Sequence, residues 1–436
     1  MTPHFISKAL ARPSDFVIKT QASLRYFILR SRKFKDEKLS SSLRIAIQFL
    51  AKIQIGSLDI ILPNAKKITV KGKIAGPHAT LAIHHDRVIR KFLTKGKLGF
   101  CESYLDGDWS STNMTQFFTL MLRNENYFKD TMLGKNWARA FEFLLHILRP
   151  NTKDGSKKNI YDHYDIGNDF YKEWLDPSMT YSSALFLDGI TDLAEAQTRK
   201  YEEICRRLNL KAGMHILEIG CGWGGFAEYA AAQYGVKISG ITISPSQYHY
   251  ARERMKKAGL DHLVDIKIED YRDVSGHYDG IVSIEMFEAV GESFWSVYFE
   301  TLKKLLKPDA KAVLQIITIN ETDFPQYRRT ADYIQKYIFP GGMLPTIPIL
   351  KNLSGTQNLK WNGLLSFGTD YARTLNLWNE KFQSVWPHIQ QAPANVKLND
   401  RFKRLWEQYF CYCEAGFIVG TIDVVQITLQ NTIETE

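Results

Sequence analysis

The segment from His215 to Phe226, His-Ile-Leu-Glu-Ile-Gly-Cys-Gly-Trp-Gly-Gly-Phe, holds the residues best suited to ligand chemistry. An apolar run of strand type carries Glu218, glycines follow at 220, 222 and 224, and a helix pattern begins. Glycines at alternate positions let the backbone turn sharply and approach a ligand without a Cβ, while the helix start offers unpaired N–H groups. A dinucleotide loop would read G-x-G-x-x-G with an acid about 20 residues on, and a nucleotide P-loop would continue into Lys-Ser/Thr. This loop reads G-x-G-x-G-G, and its acid, Glu218, comes first. That arrangement suits S-adenosylmethionine, whose amino acid end and sulfonium require hydrogen bonds and no pyrophosphate cradle. Glu218, Gly220, Gly222 and Gly224 are the residues expected to meet it.

Two further stretches bear on the same ligand. The second strand ends Gly240-Ile-Thr-Ile-Ser-Pro245 without the carboxylate that usually holds a ribose, which leaves Thr242 and Gln247 for that task. For Gln247 a capping box is the competing role: Ser244 at the N-cap, Pro245 at N1 and Gln247 at N3, with Gly259 closing the helix. After the third strand, Asp270 and Tyr271 are placed to meet an adenine by hydrogen bond and stacking, or to form an ordinary polar loop. The five cysteines have no zinc-type spacing, so no metal is expected and free thiols in a reducing cytoplasm are.

The elements that must position these residues alternate from Leu193 onward. Helix Leu193–Leu208, strand His215–Ile219, helix Phe226–Tyr234, strand Val236–Ile241, helix Pro245–Ala258, strands Val264–Ile268 and Tyr278–Ile284, helix Phe294–Leu306 and strand Ala312–Ile319 predict an α/β, doubly wound, mainly parallel sheet. Ligands of such sheets bind at the carboxyl ends of the strands. Ahead of it, β-like runs at 57–62, 67–70 and 79–83 and helical patterns from Met114 to Ile147 predict a small α+β domain. The polar segment Arg149–Lys158 is the linker candidate, giving domains 1–150 and 151–436.

Charge separates the two. Residues 1–150 carry 25 Lys and Arg against 11 Asp and Glu, a surplus of 14, whereas the remainder is net negative by 5. A basic first third indicates a polyanionic partner, nucleic acid or an anionic lipid surface. The apolar stretch from Ile45 to Ile55 is broken by Gln48, Lys52 and Gln54, short of the roughly 20 residues of a membrane span. Residues 1–30 show no cleavable apolar core. Contact with a membrane is therefore expected at its surface.

Several segments together resemble the cyclopropane-fatty-acyl-phospholipid synthases and the mycolic acid cyclopropane synthases: His163 to Phe170, Met179-Thr-Tyr-Ser-Ser183, Leu217 to Gly225, Gly240 to Ser244, Asp270-Tyr-Arg-Asp273, Met286-Phe-Glu288, Lys336-Tyr-Ile-Phe-Pro-Gly341, Phe367-Gly-Thr-Asp-Tyr371 and Arg401 to Arg404. The resemblance runs from about residue 85 to the C-terminus. It implies a Rossmann-like class I methyltransferase domain preceded by a lipid-binding domain resting on anionic phospholipid, peripheral on the inner face of the membrane. Nucleic acid is set aside, since residues 1–150 contain no recognised nucleic-acid module. A homodimer is left open.

By the same resemblance, an unsaturated acyl chain attacks the sulfonium methyl, and the resulting cation loses a proton to close a ring. Aromatic faces and a bound anion should stabilise that cation. The family's anion is bicarbonate, which is also the general base. Glu288 and Tyr371 match bicarbonate-holding positions, and Ile317 matches one that offers backbone. Ser183 stands where the family has cysteine, Ala289 follows Glu288 where it has histidine, and Gln315 replaces a strand histidine. Ser183 and Gln315 still donate hydrogen bonds. Cys413 matches the cysteine long marked as the active-site residue, with an inert structural thiol as the alternative. Tyr181, Ser182 and Arg272, within matching segments, join the cofactor set. With the base site altered, a methyl or methylene branch competes with the ring. A small-molecule N-methyltransferase and a lipid-binding protein without catalysis are the further rivals.

Overall fold

The computed structural model describes residues 40–132, 166–330, 332–391 and 396–432. The expected linker, the division at residue 150 and the His163-Tyr-Asp165 stretch lie outside them. Contacts group the described residues into two units, one of residues 40–112 and 123–132, the other of residues 113–122 and 166–432.

In the first unit, strands β1 (Ile55–Ile61), β2 (Lys67–Lys71), β3 (Ile74–Ile83) and β4 (Trp109–Ser110) form one sheet in the order β2-β1-β3-β4. Alternating burial in β3 and the buried centre of β1 place Leu58, Ile60, Leu81 and Ile83 in the core, and helices Ser41–Leu50 and Arg87–Leu105 each carry a buried face of their own. Phe49 and Phe128 stack there, 4.6 Å between centroids. Of the helical expectation over 114–147, helix Glu125–Met132 falls in this unit, and helix Met114–Arg123 falls in the second but for its last residue.

The second unit is the expected doubly wound sheet. Its strands β5 (His215–Ile219), β6 (Lys237–Thr242), β7 (Val264–Ile268), β8 (Tyr278–Ile284), β9 (Leu306–Ile319), β10 (Leu359–Ser366) and β11 (Ile422–Asn431) lie in the order β10-β11-β9-β8-β5-β6-β7. From β9 to β7 all neighbours are parallel, and β11 and β10 add antiparallel pairs at the β9 side. Ile216 to Ile219 are all buried, as befits a parallel strand covered on both faces. The chain winds outward from β5 through β6 and β7, then returns to lay β8 on the other side of β5. That reversal opens a crevice at the carboxyl ends of β5 and β8.

The helix after β6 starts at Pro245 with Ser244 as N-cap, its Oγ accepting from the Gln247 N–H. The reciprocal half of the expected capping box is absent, because the Gln247 side chain turns to Thr242. Gly259, at φ +69°, closes the far end as expected.

Candidate active site

A cleft of about 1140 Å³, counted out to its open mouth, lies over the β5–β8 crevice. Of the expected cofactor residues, Tyr181, Ser182, Glu218, Gly220, Gly222, Thr242, Gln247, Asp270, Tyr271 and Arg272 line it. Gly224 does not. It sits at φ +84° at the cap of helix Gly225–Tyr234, and a Cβ there would stand 3.2 Å from Ala251 Cβ and Met255 Cε, so it serves helix packing. Gly222, at φ +52°, has nothing within 4 Å of an added Cβ, and a side chain there would stand in the space a ligand needs.

The polar groups around this space suit an adenosyl amino acid. Glu218 is buried with Oε2 unpartnered, and burial pushes its carboxyl well above the usual range against the pull of Lys200. The Tyr271 hydroxyl is likewise buried without a partner. Thr242 Oγ1 donates to Gln247 Oε1 at 2.9 Å, which leaves the Gln247 NH₂ for a ligand hydroxyl. Arg272 clamps both carboxylate oxygens of Asp270 at 2.8 and 2.7 Å and lies over the rings of Tyr271 and Phe294. Trp223 of the glycine loop donates to Asn168 at 2.8 Å, which accounts for the asparagine of the Ile-Gly-Asn-Asp segment.

Where this cleft meets the end of β8, several expected catalytic residues converge on a residue the sequence reading missed, Glu285. Its Oε1 accepts from the Ser183 N–H at 2.8 Å and from Gln315 Nε2 at 2.7 Å; its Oε2 accepts from the Tyr371 hydroxyl at 2.6 Å. Glu285 lines the cofactor cleft and holds φ at +50°, a left-handed conformation that costs a residue with a Cβ about 1 kcal/mol or more. The Ser183 hydroxyl, expected to face an anion, donates instead to the Ala184 carbonyl at 2.9 Å; the donor is its main chain. Gln315 is oriented from behind, its Oε1 accepting from Gln426 Nε2 at 3.1 Å. The signal available in the sequence was an acid directly after an apolar strand, at the edge where ligands bind.

Glu288 lies one short turn on. Its Oε1 accepts from the Ile317 N–H at 2.5 Å, so the two expected residues do meet, and its Oε2 is buried without a partner. Burial, then the nearby Glu285 carboxylate, raise Glu288 to about 8. It is mainly protonated at neutral pH and can donate a hydrogen bond. Burial and the Glu285 carboxylate also hold Tyr371 far above its ordinary value, so it stays a donor. Lys200, fully buried on helix Leu193–Leu208, donates to Ser182 Oγ at 2.7 Å; burial lowers it to about 7 while Glu285, Asp176 and Glu218 oppose the fall.

The surrounding motifs now have physical reasons. In Phe367-Gly-Thr-Asp-Tyr371, Gly368 lets the helix start approach Asp423, where a Cβ would come within 2.5 Å of Oδ1. Asp370 Oδ2 accepts from the Phe186 N–H at 2.8 Å, which fixes the segment that carries Ser183. Beyond Lys336-Tyr-Ile-Phe-Pro-Gly341, the Met343 N–H donates to the Glu288 carbonyl at 2.9 Å. Phe339 faces Tyr181 at 6.2 Å and Tyr409 at 6.0 Å, and Tyr371 stacks on Phe417 at 4.5 Å, so the carboxyl pair is bordered by aromatic rings. Cys413 is partly buried on helix Asp400–Val419, and desolvation pushes its thiol far above its ordinary value.

The family model described as mycolic acid cyclopropane synthetase matches residues 151–427. A tuberculostearic acid methyltransferase of Mycobacterium tuberculosis is 38% identical over 366 residues, covering 81% of this chain and 84% of that protein. The cyclopropane-fatty-acyl-phospholipid synthase of Escherichia coli K12 is 36% identical over 366 residues, covering 82% and 89%. Among solved structures, the cyclopropane synthase MmaA2 of M. tuberculosis superposes with a TM-score of 0.58 at 30% identity, covering 63% of this chain and 98% of that one.

Proposed function

Because this chain belongs to the mycolic acid cyclopropane synthetase family, it is an S-adenosylmethionine-dependent lipid methyltransferase, and we propose that it methylates the cis double bond of an unsaturated acyl chain in a membrane phospholipid and closes a cyclopropane. The observation that carries this reading is the junction of the adenosyl cleft with a buried carboxyl centre, Glu285 and Glu288, bordered by aromatic rings.

The cofactor supplies an electrophilic methyl on a sulfonium. Gly220 and Gly222 give it backbone access, Glu218 and Ser182 face its amino acid end, and Thr242 with Gln247 serve the ribose. Asp270, Tyr271 and Arg272 border the adenine, and Tyr181 lies towards the acyl chain. The rings of Tyr181, Phe339, Tyr371 and Phe417 offer π-faces to a cation, and the carboxyl centre supplies the counter-charge and the proton acceptor. Glu288, held by the Ile317 N–H, and Gln315 with the Ser183 main chain position that acceptor; Cys413 packs. The relative named a tuberculostearic acid methyltransferase favours a second outcome, a methyl or methylene branch from the same cation.

No helix among the described residues is long and apolar enough to cross a membrane. Docking on the inner, cytoplasmic membrane face is part of the proposal, supported by the basic first third and by Lys71 and Lys73, both exposed near Ile74, which is 52% exposed. A homodimer is the assembly to test by light scattering. Mass spectrometry of lipids from expressing cells decides the function: a gain of one CH₂ on unsaturated chains is expected, and proton NMR separates ring from branch. Unchanged lipids would overturn it.

A further inference from the structure

We infer that Glu285 is the general base of this enzyme, a carboxylate built into the chain where a dissociable anion would otherwise be held, and that turnover requires no bicarbonate. The inference rests on the proposed lipid methylation and deepens it. Ser183, Gln315 and Tyr371, the donors expected to hold an anion, are committed to Glu285 at 2.6 to 2.8 Å. Both carboxylate oxygens are engaged, in the way an oxyanion would be.

Two observations show that this arrangement is imposed and not incidental. The backbone of Glu285 stays at φ +50°, where a glycine would rest without cost, and its N–H donates to the Gln315 carbonyl at 2.8 Å. Gln315 in turn is fixed by Gln426, itself fully buried, so the amide NH₂ can face only one way. Bicarbonate does not fit these residues. It would find its donors engaged and would have to enter beside a buried carboxylate, where two like charges at contact distance repel strongly. Burial pushes the Glu285 carboxyl up, its donors Tyr371, Gln315 and Ser183 and the Lys200 charge pull it back, and Glu288, pushed up to about 8, adds little negative charge at neutral pH.

The chemistry balances within the chain. The alkene π-pair forms the bond to the transferred methyl as the C–S bond breaks, its pair going to sulfur. Glu285 then takes a proton from the methyl-derived carbon, and the pair of that C–H bond closes the ring. The neutral acid returns its proton to solvent through the open cleft after product leaves.

The full chain decides this with labelled bicarbonate. In ¹³C NMR the wild-type protein should leave the bicarbonate resonance unperturbed, whereas Glu285→Gly, which removes the carboxylate and suits the positive φ, should broaden it. Wild-type turnover on unsaturated, anionic phospholipid vesicles should agree within about twofold in CO₂-free buffer with and without added bicarbonate. Glu285→Gln should lose about 10²–10⁴ in turnover while its thermal midpoint and S-adenosylmethionine affinity stay near wild type. Should the glutamine variant fail to fold, Glu285→Gly replaces it, with turnover expected to recover at least about tenfold on adding bicarbonate. Bicarbonate bound by the wild type, wild-type turnover that collapses without it, or a folded glutamine variant above about a third of wild-type turnover overturns the inference. If the wild type methylates no lipid, the functional reading falls, and the NMR titration still decides what fills the anion site.

Discussion

Removing the charge from Glu288 should do little, because desolvation and the carboxylate of Glu285 have already removed it. Glu288→Gln replaces a neutral acid by a neutral amide of the same shape, and we expect turnover at neutral pH within about tenfold of wild type and cofactor affinity within a few-fold. Stability reports the same group. Burial and the Glu285 charge push its carboxyl up to about 8 in the folded state from the ordinary 4.5 of the unfolded chain, so the folded state binds the extra proton between those values. The stabilisation is full below 4.5 and is lost as pH rises through 8. Circular dichroism melts should therefore show a midpoint that falls across this window, and Glu288→Gln should flatten part of the slope; an unchanged slope would place the titration elsewhere. Glu288 was legible in the sequence because it follows Met-Phe in a segment like the family's. Glu285 was not, since a single acid after a strand has many bland explanations and its partners come from residues 183, 315 and 371, which only the fold brings together.

At the scale of single elements, the two glycines of the cofactor loop separate ligand contact from packing. Gly222→Asp fills open cleft space with a charge, and calorimetry should find S-adenosylmethionine affinity reduced at least about 100-fold, roughly 3 kcal/mol, in a folded protein. Gly224→Val instead forces a branched side chain against Ala251 and Met255 at positive φ and should cost about 2–4 kcal/mol in denaturant unfolding. The reverse pattern would exchange their roles. Spacing alone could not tell them apart, because alternate glycines look alike before the helix is packed. Strands β5, β7 and β8 were readable to the residue, β5 and β8 as short, mainly apolar runs and β7 as an alternating Val-Asp-Ile-Lys-Ile, each between clear breaks. The start of β9 was hidden by Lys307-Pro-Asp309, with Asp309 at φ +59°, and β10 carries Gly363 and no β-branched residue. Both β10 and β11 lie beyond Ile319, where the strand and helix series read from the sequence ended.

Over the whole molecule, the surplus of 14 positive charges in residues 1–150 should govern membrane association. Binding to anionic vesicles in sedimentation assays should weaken steeply with salt, since exposed charges are screened over about 8 Å at physiological ionic strength. Lys71→Glu with Lys73→Glu should weaken it further without altering cofactor affinity. Salt-independent binding would point to apolar insertion at Ile74. The parallel core and the charge asymmetry were legible because each is written in contiguous runs; the site was half legible because its second half is assembled across the sheet. That assembly has a consequence for biosynthesis. Strand β11 lies between β10 and β9, and its Gln426 orients Gln315 and through it Glu285. On the ribosome the residues that read as the cofactor site emerge some two hundred positions ahead of this strand, so a nascent chain can shape its adenosyl loop long before the group that takes the proton is locked in place. A polypeptide arrested at Gly420 would leave β9 and β10 with bare edges and no proton acceptor in register, a species for chaperones or proteases and not a slower enzyme.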